Sequence, residues 1–124
     1  MSYSFRSAED NGKDTVEKEW GSITWLANQA IGNATELTLG RVRIKFGCTC
    51  PRHCHTNCEE VIYVLKGTLE HTVGGETLRL SQGDTLTIPA GVYHGASAVG
   101  DLDSEMIVAY PEGTRDYTAE EADA

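Results

Sequence analysis

Short runs of alternating apolar and polar residues, punctuated by glycine, dominate this chain. Over 22–27, Ile23, Trp25 and Ala27 alternate with Ser22, Thr24 and Leu26, which predicts a strand. A turn through Gly32-Asn33 follows. In the long run 37–46, Leu37, Leu39, Arg41, Arg43 and Lys45 oppose Thr38, Val42, Ile44 and Phe46. The apolar phase switches near Gly40 and predicts a bulge or bend there. Strands are predicted at 61–65 and 68–73, flanking Gly67. Gly74-Gly75 signals a hairpin into 76–80. After a turn at 81–84, a strand at 85–88 runs into Pro89-Ala90-Gly91, and a last apolar strand at 106–110 stops at Pro111. Strands of about five or six residues at intervals of about ten predict an all-β sandwich or barrel. Only 118–124 reads as mildly helical.

Length and charge refine this picture. A chain of 124 residues suits one domain. Residues 1–18 are polar and read as a flexible arm, or a short lead-in crossing the surface. Residues 19–111 form the barrel, and 112–124 an acidic tail with five acids and one arginine. The tail reads as a solubilising end. A net charge of −9 argues against nucleic-acid partners. No stretch approaches the roughly 20 apolar residues that span a bilayer. The opening segment has no apolar leader region, so a cytoplasmic protein with reduced thiols is expected.

His53-x-His55 is the first informative chemistry. Residues two apart on a strand share a face, so the imidazoles project side by side. A carboxylate follows at Glu59 or Glu60. His94 comes five residues after Pro89, beyond a turn that can aim it back at the barrel mouth. Three imidazoles and a carboxylate suit one divalent ion: Mn, Fe, Ni, Co or Zn.

Gly47-x5-His53-x-His55-x4-Glu60-x6-Gly67 resembles the first motif of the cupin superfamily, and Gly83-x5-Pro89-x-Gly91-x2-His94 resembles the second. The 15 residues between Gly67 and Gly83 fit the gap of small single-domain, RmlC-like members. One departure is Ala98, where the family often has a structural asparagine. The resemblance spans about 20–111 and implies a jelly-roll barrel of the double-stranded β-helix kind. It also implies His53, His55, Glu60 and His94 as metal ligands. The six-residue step to Gly67 favours Glu60 over Glu59.

Other candidates carry bland readings beside functional ones. Cys48, Cys50, Cys54 and Cys58 lack zinc-ribbon spacing and read as free or partly buried thiols rather than a second metal site. His71 shares the phase of Leu69 and Val73. It is a core residue or a proton-transfer group lining the pocket, and Tyr93 is a second weak catalytic candidate. Trp20 and Trp25 read as packing or dimer contacts, and Arg41, Arg43 and Lys45 as a solvated strand face.

A four-ligand site leaves coordination positions open, as catalytic metals do. The expected function is a metal-dependent enzyme acting on a small oxygen-rich metabolite, such as a sugar-derived acid, a diketone or an enediol. Isomerisation or ring opening and dioxygenation are the competing reactions. The alternative is a non-catalytic ligand-binding or sensor module with a structural metal. Family resemblance and exposed sheet edges add the expectation of a homodimer.

Overall fold

The computed structural model describes residues 2–121. Eleven strands follow a short helix, α1 (Ala8–Gly12). The amino-terminal strands are β1 (Thr15–Lys18), β2 (Gly21–Ala27) and β3 (Thr38–Ile44). Then come β4 (Thr49–Cys54), β5 (Glu60–Lys66), β6 (Thr68–Val73) and β7 (Glu76–Ser81). The last four are β8 (Thr85–Ile88), β9 (His94–Ala98), β10 (Ser104–Tyr110) and β11 (Thr118–Ala119). They form two antiparallel sheets, ordered β1-β2-β3-β10-β5-β8 and β11-β4-β9-β6-β7. This is the expected all-β jelly roll. Among the described residues, no helix is long and apolar enough to cross a membrane.

Alternation places the core. On β3, Val42 and Ile44 point inward while Arg41 and Arg43 face solvent. Arg41 pairs with Glu105 of the neighbouring β10 at 3.0 Å, and Arg43 with Asp103 just before that strand. Ile44, Ile62, Val64, Leu69, Ile88 and Val108 are fully buried between the sheets. Each contributes about 1.5–3 kcal/mol of burial. Gly67 makes the tight β5–β6 turn at φ +83°, with the Ser104 hydroxyl 2.5 Å from where a Cβ would stand. Only glycine takes that place without strain.

Both ends of the chain differ from expectation. The amino-terminal arm is built into the fold from Thr15 onward, because β1 pairs along its length with β2. At the other end 118–119 is a strand on β4, not a helix; residues 122–124 lie outside the described residues. The stretch before it is anchored rather than loose. Thr56 binds the Asp116 carboxylate, and Gly113 passes so close to the Thr35 carbonyl that a Cβ would stand 2.1 Å from it. The irregularity expected near Gly40 lies on the partner strand, between Trp25 and Ala27 of β2. Gly40 instead makes room for the Trp25 ring, 3.0 Å from its would-be Cβ.

Candidate metal centre

Four side chains from three strands and a strand end converge inside the barrel. The β4–β9 pairing slips between Cys50 and His53, which sets His53 directly opposite His94. His55 keeps the phase of His53, and its carbonyl accepts the Gly91 N–H at 2.8 Å, tying it to the turn that precedes His94. Glu60 opens β5 and is buried, whereas Glu59 is exposed. One ligand atom from each of His53, His55, Glu60 and His94 lies within 4.8 Å of all the others. That is within a few tenths of an ångström of what two bonds of about 2.2 Å to one ion span.

Hydrogen bonds fix how the rings present themselves. Nδ1–H of His53 donates to the Pro51 carbonyl at 2.8 Å, that of His55 to Asp116 at 2.6 Å, and that of His94 to Val92 at 3.0 Å. Each ring, when neutral, therefore turns an unprotonated Nε2 inward, the tautomer a metal ligand needs. His94 Nε2 lies 3.1 Å and His55 Nε2 3.2 Å from the same Glu60 oxygen. His55 Nε2 is buried and makes no hydrogen bond there. Lone pairs facing a carboxylate repel. A proton on His94 relieves one contact, and a divalent cation relieves all of them. The donor set and the orphaned nitrogen fit such an ion.

Electrostatics agree. Burial raises the Glu60 pKa, but the imidazoles of His55 and His94 outweigh it and bring the carboxyl to about 2. Burial lowers His53 to about 4 and keeps it neutral. For His94, burial pulls down, and the bond to Glu60 and its charge pull up further, so its pKa is raised.

The cluster opens into a cavity of about 440 Å³. Its walls are mostly apolar and aromatic, with Trp20, Trp25, Tyr110 and Tyr117 among them. Tyr117 stacks on His53 with ring centroids 4.8 Å apart, and Tyr110 meets His55 edge-on at 5.0 Å. His71 also lines the cavity. It is 1% exposed, burial lowers its pKa to about 4, and its Nδ1 has no partner. Tyr93 does not line the cavity; its hydroxyl pairs with Cys54, which raises its pKa. The four cysteines are free and stand outside the converging ligand group. Cys50 reaches the cavity wall, where burial, helped by the Glu60 charge, pushes its thiol up to about 12.

Trp20 and Trp25 pack against the core as expected and also line the cavity, whereas the cavity residues Arg115 and Tyr117 were read as part of a solubilising tail. The local signal for Arg115 and Tyr117 was the composition of the tail, whose single arginine comes two residues before an aromatic one in an otherwise acidic stretch.

Solved structures share this architecture. An oxalate decarboxylase from Lactobacillus farciminis superposes with a TM-score of 0.79 at 20% identity, covering 85% of this chain and 32% of that one. A recombinant oxalate oxidase in complex with glycolate gives 0.75 at 24% identity over 83% of this chain and 56% of that one. At these identities the likeness is one of fold. In sequence, the chain is 31% identical over 90 residues to the polyketide synthase CurC of Streptomyces cyaneus, covering 73% of this chain and 58% of the relative. It is 24% identical over 110 residues, 88% of both chains, to an uncharacterized protein of Methanocaldococcus jannaschii. The chain spans less than two thirds of CurC and 18% of the xanthan biosynthesis protein XanB of Xanthomonas campestris, to which it is 32% identical over 83 residues. The family model for the cupin domain matches residues 40–110. That stretch holds the barrel from β3 to β10 and all four inward-facing ligand candidates, and the chain belongs to the cupin family.

Proposed function

We propose that this chain is a metal-dependent enzyme in which His53, His55, Glu60 and His94 hold one divalent ion and act on a small oxygen-bearing metabolite. The observation that carries the reading is the convergence of three Nε2 atoms on one buried carboxylate, with that of His55 making no hydrogen bond. Manganese is the first candidate, because a similarly folded Bacillus subtilis oxalate decarboxylase is described with Mn(II) centres. Iron, nickel, cobalt and zinc share the ligand preference.

The bound ion would supply Lewis acidity, polarising a substrate oxygen. The chain supplies the rest. His71, neutral at pH 7 and unpartnered at Nδ1, is placed to hold or pass a proton at the cavity wall. Aromatic walls exclude water, and the carbonyls of Pro51, Val92 and Asp116 keep the three rings aimed. Isomerisation or ring opening and dioxygenation both remain within this chemistry. A cavity of about 440 Å³ is roomy for a two-carbon dicarboxylate, which disfavours oxalate itself.

Elemental analysis of untagged protein, followed by substrate screening of the metal-loaded form with an oxygen electrode, tests the reading. Oxygen uptake marks a dioxygenase, and turnover without it an isomerase. Binding without any conversion would replace the enzyme with a sensor module. The reading includes a cytoplasmic location, which four free thiols support. It also includes a homodimer through the outer sheet face, where Val61 and Tyr63 are exposed. A monomer mass by light scattering at micromolar protein counts against the dimer.

A further inference from the structure

The cavity contains a cation that the metal centre does not use. Arg115 lies on the segment between Pro111 and β11, beyond the 40–110 domain match. Its guanidinium carbon stands 4.7 Å from the Trp25 ring centroid, 5.2 Å from Tyr110 and 5.9 Å from Tyr117. Three arginines are not exposed: Arg6, Arg52 and Arg115. Arg6 is paired with Asp14 and Arg52 with Glu120, but among the described residues Arg115 has no carboxylate within ion-pair distance. Its one polar contact is Nη1 at 3.3 Å from His55 Nδ1, a nitrogen already committed to the Asp116 carbonyl at 2.6 Å. The half-buried guanidinium thus stands at the aromatic wall of the cavity with no carboxylate on its forked donors.

Two further features describe what would match them. His71 leaves a buried Nδ1 unpartnered on the wall of the same cavity, and such a group costs stability unless something enters to bind it. The remaining lining is largely apolar. Lys18 reaches the cavity only from the exposed edge strand β1, where its ammonium keeps its water.

We propose that Arg115 is the anion anchor of this cavity, and that the ligand is a monocarboxylic acid with a flat apolar body. The carboxylate takes the guanidinium fork, and the body lies along the aromatic wall. This deepens the functional reading above and rests on it only for which atoms of the ligand react. Anchoring by Arg115 stands whether or not a metal is bound.

The test uses three probes: 3-phenylpropionate, its neutral amide 3-phenylpropionamide, and oxalate. Binding is followed by fluorescence of Trp20 and Trp25, both on the cavity wall, in metal-loaded and chelator-treated full-length protein. Wild type should bind the acid about tenfold more tightly than the amide, and more tightly than oxalate, in both forms. Arg115→Gln should abolish the preference for acid over amide in both forms. Arg79→Gln, which changes an exposed arginine outside the cavity, should keep the preference. If Arg115→Gln fails to fold, Arg115→Lys serves: losing the fork should cut the preference about threefold or more.

Equal affinity for acid and amide in wild type overturns the proposal. So does a preference that survives Arg115→Gln, oxalate binding as tightly as the aryl acid, or no response to the acid up to about 10 mM. A preference seen only with metal and kept in Arg115→Gln places the carboxylate on the metal; the anchor then falls while the metal reading stands. An Arg115-dependent preference in both the metal-loaded and the chelator-treated protein upholds the anchor, and elemental analysis decides the metal reading separately.

Discussion

Glu60 Oε1 and His94 Nε2 stand 3.1 Å apart inside the barrel, while the other nitrogen of His94 is bound to the Val92 carbonyl at 3.0 Å. Two acceptors at that separation require a positive species between them. Metal content is therefore the most direct readout of the cluster. Untagged wild-type protein should carry a divalent ion by elemental analysis, and His94→Ala should lose most of it. Equal metal in the two proteins would remove His94 from the site.

The neighbouring glutamates provide an internal control. Glu60 is 5% exposed and faces the rings, whereas Glu59 is exposed. Glu60→Gln keeps the shape and removes the charge, and metal affinity should fall about 10–100-fold or more. Glu59→Gln should leave affinity unchanged. A reversed result would move the carboxylate ligand by one residue.

Residues after Pro111 hold two of the candidate ligands in place. The Asp116 carbonyl orients His55, and the Tyr117 ring covers His53. Ending the chain at Pro111 should weaken metal binding about 10–100-fold while far-UV circular dichroism still reports a β-protein. Tyr117→Ala should act in the same direction with less effect. Unchanged metal affinity in both variants would show the segment to be a bystander.

Gly47 and Gly67 separate backbone strain from collision. Both have positive φ, +77° and +83°, but nothing lies within 4 Å of a Cβ at Gly47, whereas the Ser104 hydroxyl is at 2.5 Å from one at Gly67. Gly47→Ala should cost about 1–2 kcal/mol of unfolding free energy. Gly67→Ala should cost more, because the clash adds to the same conformational penalty. Urea midpoints measure both; equal losses would mean that Ser104 yields freely.

Acid should unfasten the turn after β3. The Asp103 carboxylate accepts the Phe46 N–H at 2.8 Å and pairs with Arg43, and these two bonds, in that order, hold its pKa below the usual aspartate value. A depressed carboxyl contributes stability above its unfolded pKa of about 3.9 and loses it as pH falls through the lower folded value. Asp103→Asn should therefore be less stable than wild type at neutral pH. The gap should narrow below about pH 3, once both side chains are uncharged. A gap independent of pH would assign the loss to packing alone.

The parts of this fold visible in the sequence are those with local causes. Strands β5 to β8 and β10 announce themselves because alternating apolar residues and glycine turns act within a few positions. Of the candidate ligands, the His53–His55 pair was legible from strand geometry, whereas Glu60 and His94 were marked by the resemblance to the cupin motifs. β9 was not, since His94-Gly95-Ala96-Ser97-Ala98 has no β-branched residue; it becomes a strand because β4 and β6 flank it. β1 is a largely polar edge strand beside its neighbour β2, whereas β11 depends on a partner far along the chain. So do Trp25 and Arg115, which meet over the cavity from positions near opposite ends of the barrel.

The slip between Cys50 and His53 places one extra residue on β4: three steps separate these two residues, and two separate their partners Ala96 and His94. Deleting one residue inside the slip would close it and still leave His53 opposite His94. Deleting Cys54 would instead join His55 directly to His53 and turn the two rings to opposite faces. The approach to the first imidazole therefore tolerates a change of length that the single residue between the two imidazoles does not.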